Sequence, residues 1–195
     1  GQRGIVFAAF LKLIIPFIVV IPGILAYNLF QSQLKYDAVN RNAQILSEYS
    51  SELYVSLSEA VKPDRDLTRN KNIVAKIDEN LSRSQTTAKP YVYKFDATFA
   101  GLHPQDAAAV VAYDLRQVEG RLTVDGLPAE NAAPQALADF SQKLAGMVNE
   151  KAADAIKVET LVALDYDNAF PTLIRELLPI GRGIKGFVLA AIFGA

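Results

Sequence analysis

The 195-residue chain has no cysteine, no tryptophan and one histidine. Without cysteine there is no thiol nucleophile, disulfide or Cys-ligated zinc, and one imidazole excludes any site built on two. A basic surplus is also missing. Twenty Lys and Arg stand against 21 Asp and Glu, a formal net charge of −1, which leaves nothing in excess to neutralise a phosphate backbone. Nucleic acid is not an expected partner. One stretch lacks charge almost entirely: residues 4–30 hold a single charged side chain, Lys12, and every Asp and Glu lies beyond residue 34.

That stretch contains the sequence IVFAAFLKLIIPFIVVIPGILAYNLF, residues 5–30. As a helix its 26 residues extend about 39 Å, enough to cross a bilayer with tilt. A signal peptide fits less well, because its apolar region is shorter and a small-residue cleavage pattern follows it. Pro16 and Pro22-Gly23 fall inside the run, where each proline deletes a backbone hydrogen bond and kinks the helix. Neighbouring helices must satisfy the freed carbonyls, so a lone anchor has no use for such breaks. Lys12 has two readings: it snorkels to the interface, or it points into a bundle or water-filled cavity on a substrate or ion path. The basic residues on the two sides, Arg3 and Lys12 against Lys35 and Arg41, do not decide orientation. The chain starts with Gly rather than Met and stops in the apolar run GFVLAAIFGA, residues 186–195. Ten helical residues rise about 15 Å, half a hydrocarbon core; the expectation is an internal fragment ending at the start of a second span.

Residues 35–165 carry 15 basic and 19 acidic side chains, net −4, the composition of a soluble segment. Val39, Ala43, Leu46, Leu53, Leu57 and Ala60 recur at three-and-four spacing and predict an amphipathic helix over 38–61, interrupted at Ser50 and ended by Pro63. A shorter helix is expected over 66–83, with Ile73, Ile77 and Leu81 on one face. YVYKF at 91–95 reads as a strand. His103-Pro104-Gln105-Asp106 opens a helix closed by Gly120. RLTV at 121–124 reads as a short strand able to pair with 91–95, and 134–160 as a final helix through Leu137, Phe140, Leu144, Met147, Ala155 and Val158. Ser84 and Ser141 are expected to be reachable from solvent.

No enzyme signature survives weighing. GRGIKG at 181–186 matches G-x-G-x-x-G, yet it follows the proline-ended stretch TLIRELLP, and no acid lies twenty residues on. His103 reads as a helix-capping or surface residue rather than a member of a triad. The carboxylates are spread along solvated helix faces, which gives paired acid–base chemistry no basis.

Two blocks remain, FAAFLKLIIPFIVVIPGI (7–24) and YDNAFPTLIRELLPIGRGIKGFVLAAIFGA (166–195). With Leu11-Lys12, Pro16 and Pro22-Gly23 in the first, and Ala169-Phe170-Pro171, Leu173, Leu178-Pro179, Gly181 and Gly186 in the second, the chain resembles the sodium:solute symporter family, within it the sodium–glucose-type members. The resemblance covers about 48 residues of the chain. It implies a mainly α membrane protein, an internal fragment of an inverted-repeat (5+5 helix) transporter. Residues 1–30 would be the seventh core helix, 31–165 a mostly helical α+β extracytoplasmic insertion, 166–185 the external gating loop and 186–195 the truncated start of the next transmembrane helix. The roughly 130-residue middle replaces what is usually a much shorter external loop, and the resemblance assigns it no role.

The resemblance further implies a multi-pass protein of the cell (inner) membrane. Its partners are the lipid bilayer, a small polar solute, a sugar above all, and sodium as coupling ion, with no other cofactor and no enzymatic activity. Lys12 would donate hydrogen bonds to a sugar hydroxyl. Ala195 would offer a backbone carbonyl to sodium, beside two hydroxyls of a serine pair three and four residues further on. For Ala195 the alternative is a small residue at a helix contact. The rival for the whole chain is a membrane receptor or sensor, with an extracytoplasmic domain between two spans.

Overall fold

The computed structural model describes residues 24, 28–83, 89–129, 131–169 and 171. Pro16, Pro22-Gly23, Ser84, GRGIKG and the terminal apolar run lie outside the described residues, as does nearly all of the apolar run 5–30. Among the described residues no helix is long and apolar enough to cross a membrane. The chain divides into two compact units, Gly1–Asp37 with Leu164–Ala195, and Ala38–Ala163.

Helix α1 covers 28–49, and its first ten residues belong to the terminal unit. There Leu34 is fully buried, and its carbonyl accepts from Asp165 N–H at 3.1 Å. The Asp165 carboxylate in turn accepts from Asn168 Nδ2 at 2.9 Å, which fixes the turn that carries the single-turn 3₁₀ helix Tyr166–Asn168.

In the Ala38–Ala163 unit, α1 continues to residue 49, with Ala43 and Leu46 buried as the apolar spacing predicts. It breaks at Ser50, as read, and α2 follows at Ser51–Ser56. The expected helix over 66–83 is the 3₁₀ turn Thr68–Asn70 leading into α3, Lys71–Ser82. β1 is Tyr91–Lys94. Helix α4, Ala97–Leu102, is capped by Asp96, whose Oδ1 accepts from Phe99 N–H at 2.8 Å and so satisfies one of the free first-turn donors. Helix α5, Pro104–Val118, has proline at its first position and Asp106 in its first turn, where the missing donor costs nothing and negative charge meets the positive end of the helix dipole. Gly120, at φ +71°, takes the left-handed conformation that follows its end. Helix α6, Pro134–Lys151, also starts on proline.

Two expectations are corrected. Residues 134–160 are not one helix: α6 stops at Lys151, a turn closes with Ala155 N–H and Ile156 N–H on the Ala152 carbonyl, each at 2.9 Å, and Lys157–Thr160 is strand β2. Nor is RLTV a strand, because Arg121 N–H and Leu122 N–H fold back onto the Val118 carbonyl at 3.0 and 3.1 Å. β1 pairs instead with β2, in parallel, Tyr91 opposite Lys157 and Lys94 opposite Thr160. The physical reason lies at the other edge of β1. There Tyr93 N–H donates to both Asp114 oxygens, at 3.1 and 3.0 Å, and Phe95 N–H to Ser141 Oγ at 3.2 Å. Side chains of α5 and α6 thus occupy the ladder positions that a strand at 121–124 would need. On the far side of β2, Asn42 does the same, its carboxamide bonding both the N–H and the carbonyl of Val162, at 3.1 and 2.8 Å.

Helices α4, α5 and α6 make up the crossover that a parallel pair requires; α5 and α6 pack on β1, and the three pack on one another. The core they close is Val92, Phe95, Phe99, Val110, Leu144, Val148 and Leu161, all at most 2% exposed. The Tyr91 ring of β1 stacks on Tyr49 of α1, centroids 4.4 Å apart and planes within 11°.

Candidate functional site

The residues to which the resemblance gave roles, Lys12 and Ala195, lie outside the described residues. His103 sits at the junction of α4 and α5 as the N-cap residue of α5, but its side chain makes no cap bond. Its ring packs 5.4 Å from that of Phe99. Among the described residues there is no group of three His, Asp or Glu side chains able to hold a metal ion.

The strongest polar feature of the Ala38–Ala163 unit is a buried hub around Ser50. Its Oγ accepts from Tyr93 OH at 2.7 Å and from Tyr113 OH at 2.9 Å. Ser50 is 5% exposed, at the break between α1 and α2. Burial pushes both phenols above their ordinary range, Tyr93 the further, and the bond to Ser50 opposes the shift. Both tyrosines therefore stay protonated donors, and neither can act as a base toward the serine. Beside them Asp114 is fully buried, and burial raises its carboxyl well above the usual carboxylate range, opposed by the Tyr93 N–H bond. Asp106 forms a second clamp, accepting from Ser58 N–H and Ser58 Oγ at 2.8 Å each. This chemistry satisfies buried donors and joins α1, α2, α5 and β1; it does not activate a nucleophile.

Concave surface is found elsewhere. One cleft of about 510 Å³ lies along Tyr54, Val55 and the 59–65 segment. Its ions are already engaged: Lys62 with Glu59 at 2.9 Å, and Arg65 with Asp78 through two bonds of 2.9 and 3.2 Å. A second cleft, of about 400 Å³, opens where the two parallel strands end, between Lys94, Asp96 and Thr160 on one side and Gln142, Gly146 and Asn149 of α6 on the other. Phe95 and Ala145 supply its apolar lining. In open α/β sheets the carboxyl ends of strands are where ligands sit.

The sequence reading assigned no role to any of these residues. The available signals were a strand ending in Lys94 directly before the capping Asp96, and a glycine inside an otherwise regular helical pattern. Ser141, expected at the surface, is 1% exposed. It falls on the stripe of Leu137, Leu144 and Val148, so the same periodicity that found those residues places it inside.

No protein-family profile and no solved structure matches the chain. Among curated proteins, a stretch of 27 residues is 81% identical to a protein named sodium/glucose cotransporter from Vibrio parahaemolyticus. The match covers 14% of this chain and spans 5% of that relative's length.

Proposed function

We propose that this chain is part of a sodium-coupled secondary transporter of the cell (inner) membrane, one that imports a small polar solute, a sugar above all. The observation that carries the reading is the 81% identity over 27 residues to a protein named sodium/glucose cotransporter. Kinking prolines and a lone lysine within an apolar run support it, since an intramembrane charge is costly unless it serves a pathway. The exposure of Ile24 (55%) and Leu29 (59%) agrees with an apolar surface at the end of that run.

In this reading Lys12 faces the central cavity, where an ammonium with three donors and no acceptor suits a polyol. The Ala195 carbonyl serves sodium, a hard cation that takes oxygen ligands. Residues 31–165 stand outside the cytoplasm. The test is solute uptake by the full-length protein in sealed vesicles. Sugar accumulation that needs an inward sodium gradient, and stops when choline replaces sodium, is the expected result. Uptake indifferent to sodium, or none across a panel of sugars, inositol and amino acids, overturns it.

A further inference from the structure

The geometry points to a binding site for a small neutral polyol, of the size of a monosaccharide or cyclitol, in the cleft at the carboxyl ends of β1 and β2. This inference belongs to the Ala38–Ala163 unit and does not rest on the transport reading. Its first ground is the character of the lining. Lys94 is a donor only. Asp96 is an acceptor only, with Oδ1 committed to Phe99 N–H and Oδ2 left over. Asn149 and Thr160 can do both. Among the described residues the side chains of Lys94, Asn149 and Thr160 have no hydrogen-bond or ion-pair partner, although they share one concavity. A net anion meets the carboxylate of Asp96 and a net cation meets Lys94, whereas a ring of hydroxyls, each both donor and acceptor, matches the mixture without a charge conflict. Phe95 and Ala145 offer the C–H face of such a ring an apolar contact. A volume of about 400 Å³ is at the lower end of the range for small-molecule pockets.

The second ground is Gly146. It lies inside the 18-residue helix α6, where glycine costs about 1 kcal/mol relative to alanine. Packing does not require it, since a Cβ built there meets nothing within 4 Å. What glycine does provide is a bare stretch of helix surface in the wall of the cleft, where a ligand can approach the backbone.

The surrounding walls are held in place. Leu161 N–H on the Lys94 carbonyl closes the ladder at 2.9 Å, and Ser141 Oγ and Gln142 Nε2 tie α6 to the Phe95 backbone at 3.2 and 3.4 Å. A pre-formed site of this kind avoids part of the ordering cost of binding.

Saturation-transfer NMR on the full chain in detergent, with D-glucose, myo-inositol and L-alanine as separate probes, tests the site. Glucose or inositol signal is expected, and alanine none. Gly146→Leu fills the cleft at a position with room for it, so helicity and melting temperature are expected to hold or rise while the signal falls about tenfold. Lys94→Ala, exposed and outside the core, is expected to weaken it as well. Lys12→Ala must leave the signal intact, which separates this site from the one proposed for transport. Undiminished signal in Gly146→Leu, loss of signal in Lys12→Ala, or response to alanine but not to polyols overturns the assignment.

Discussion

Between residues 7 and 24 there is one charged side chain, Lys12, whereas residues 35–165 carry 15 basic and 19 acidic ones. The two regions spend their polar groups differently. In the Ala38–Ala163 unit buried polar atoms serve mostly to hold elements together: Ser50 joins two tyrosines, Asp114 caps the edge of β1, and Asn42 replaces a missing strand beside Val162. In an apolar run such structural uses are scarce, because helix hydrogen bonds are internal to the segment. In the proposed reading, the lone lysine and the two interrupting prolines there serve a pathway. On that reading one isolated residue in the first region bears on function, whereas the network in the second bears on stability.

Substitutions in the two regions are expected to separate along that line. The largest effect belongs to Lys12→Ala in the full-length protein, if it transports as proposed. Loss of a charge-assisted hydrogen bond, worth about 1.5 to 3 kcal/mol, raises the solute concentration for half-maximal uptake about 10- to 150-fold. The sodium requirement is expected to change little. Unchanged solute kinetics return Lys12 to an interfacial, snorkelling role. Ser50→Ala is the counterpart in the middle unit, leaving two buried phenols without their shared acceptor. A loss of about 3 kcal/mol in denaturant unfolding of the purified chain is expected; a loss below about 1 kcal/mol means that the tyrosines find other acceptors.

A smaller, pH-dependent effect is expected at Asp114. Its carboxyl is raised in the fold by burial, so above the ordinary carboxylate range near 4 the unfolded chain gives up a proton that the folded chain keeps. Stability from this group is therefore present at low pH and lost as pH rises toward the raised value. Asp114→Asn cannot ionise. Its melting temperature relative to the parent is expected to climb as pH increases above about 4 and then level off. A constant difference across pH 4 to 8 means that Asp114 is ionised in the fold at a normal value.

Much of the helical framework was legible because its signals are local. The break at Ser50, the proline start at Pro104 and the glycine end at Gly120 each depend on a residue whose backbone or side-chain chemistry acts within one turn. The sheet was not legible, because its register depends on groups far apart in sequence. Nothing in RLTV announces that Asp114 and Ser141 already hold the edge of β1. Ala155 and Val158 continue the apolar spacing of α6 past the point where the helix ends, so β2 was hidden behind a helical period. The cleft at the strand ends was hidden for the same reason, as its lining comes from residues 94–96, 142–149 and 160. The local signals for it were Lys94 just before the capping Asp96, and Gly146 inside α6.

The proposed division between membrane blocks and an outer domain is tested most directly by where the middle unit lies, and the Cys-free sequence makes the measurement clean. Ser82, at the end of α3, and Ala112, on α5, are both exposed. Single Ser82→Cys and Ala112→Cys variants of the full-length protein are treated with a membrane-impermeant thiol reagent in intact cells, with buried Ser141→Cys as the internal control. Prompt labelling of the first two in intact cells, and of the third only after denaturation, is the expected result. Protection of both exposed positions until the cells are lysed would place the unit in the cytoplasm and contradict the proposed topology.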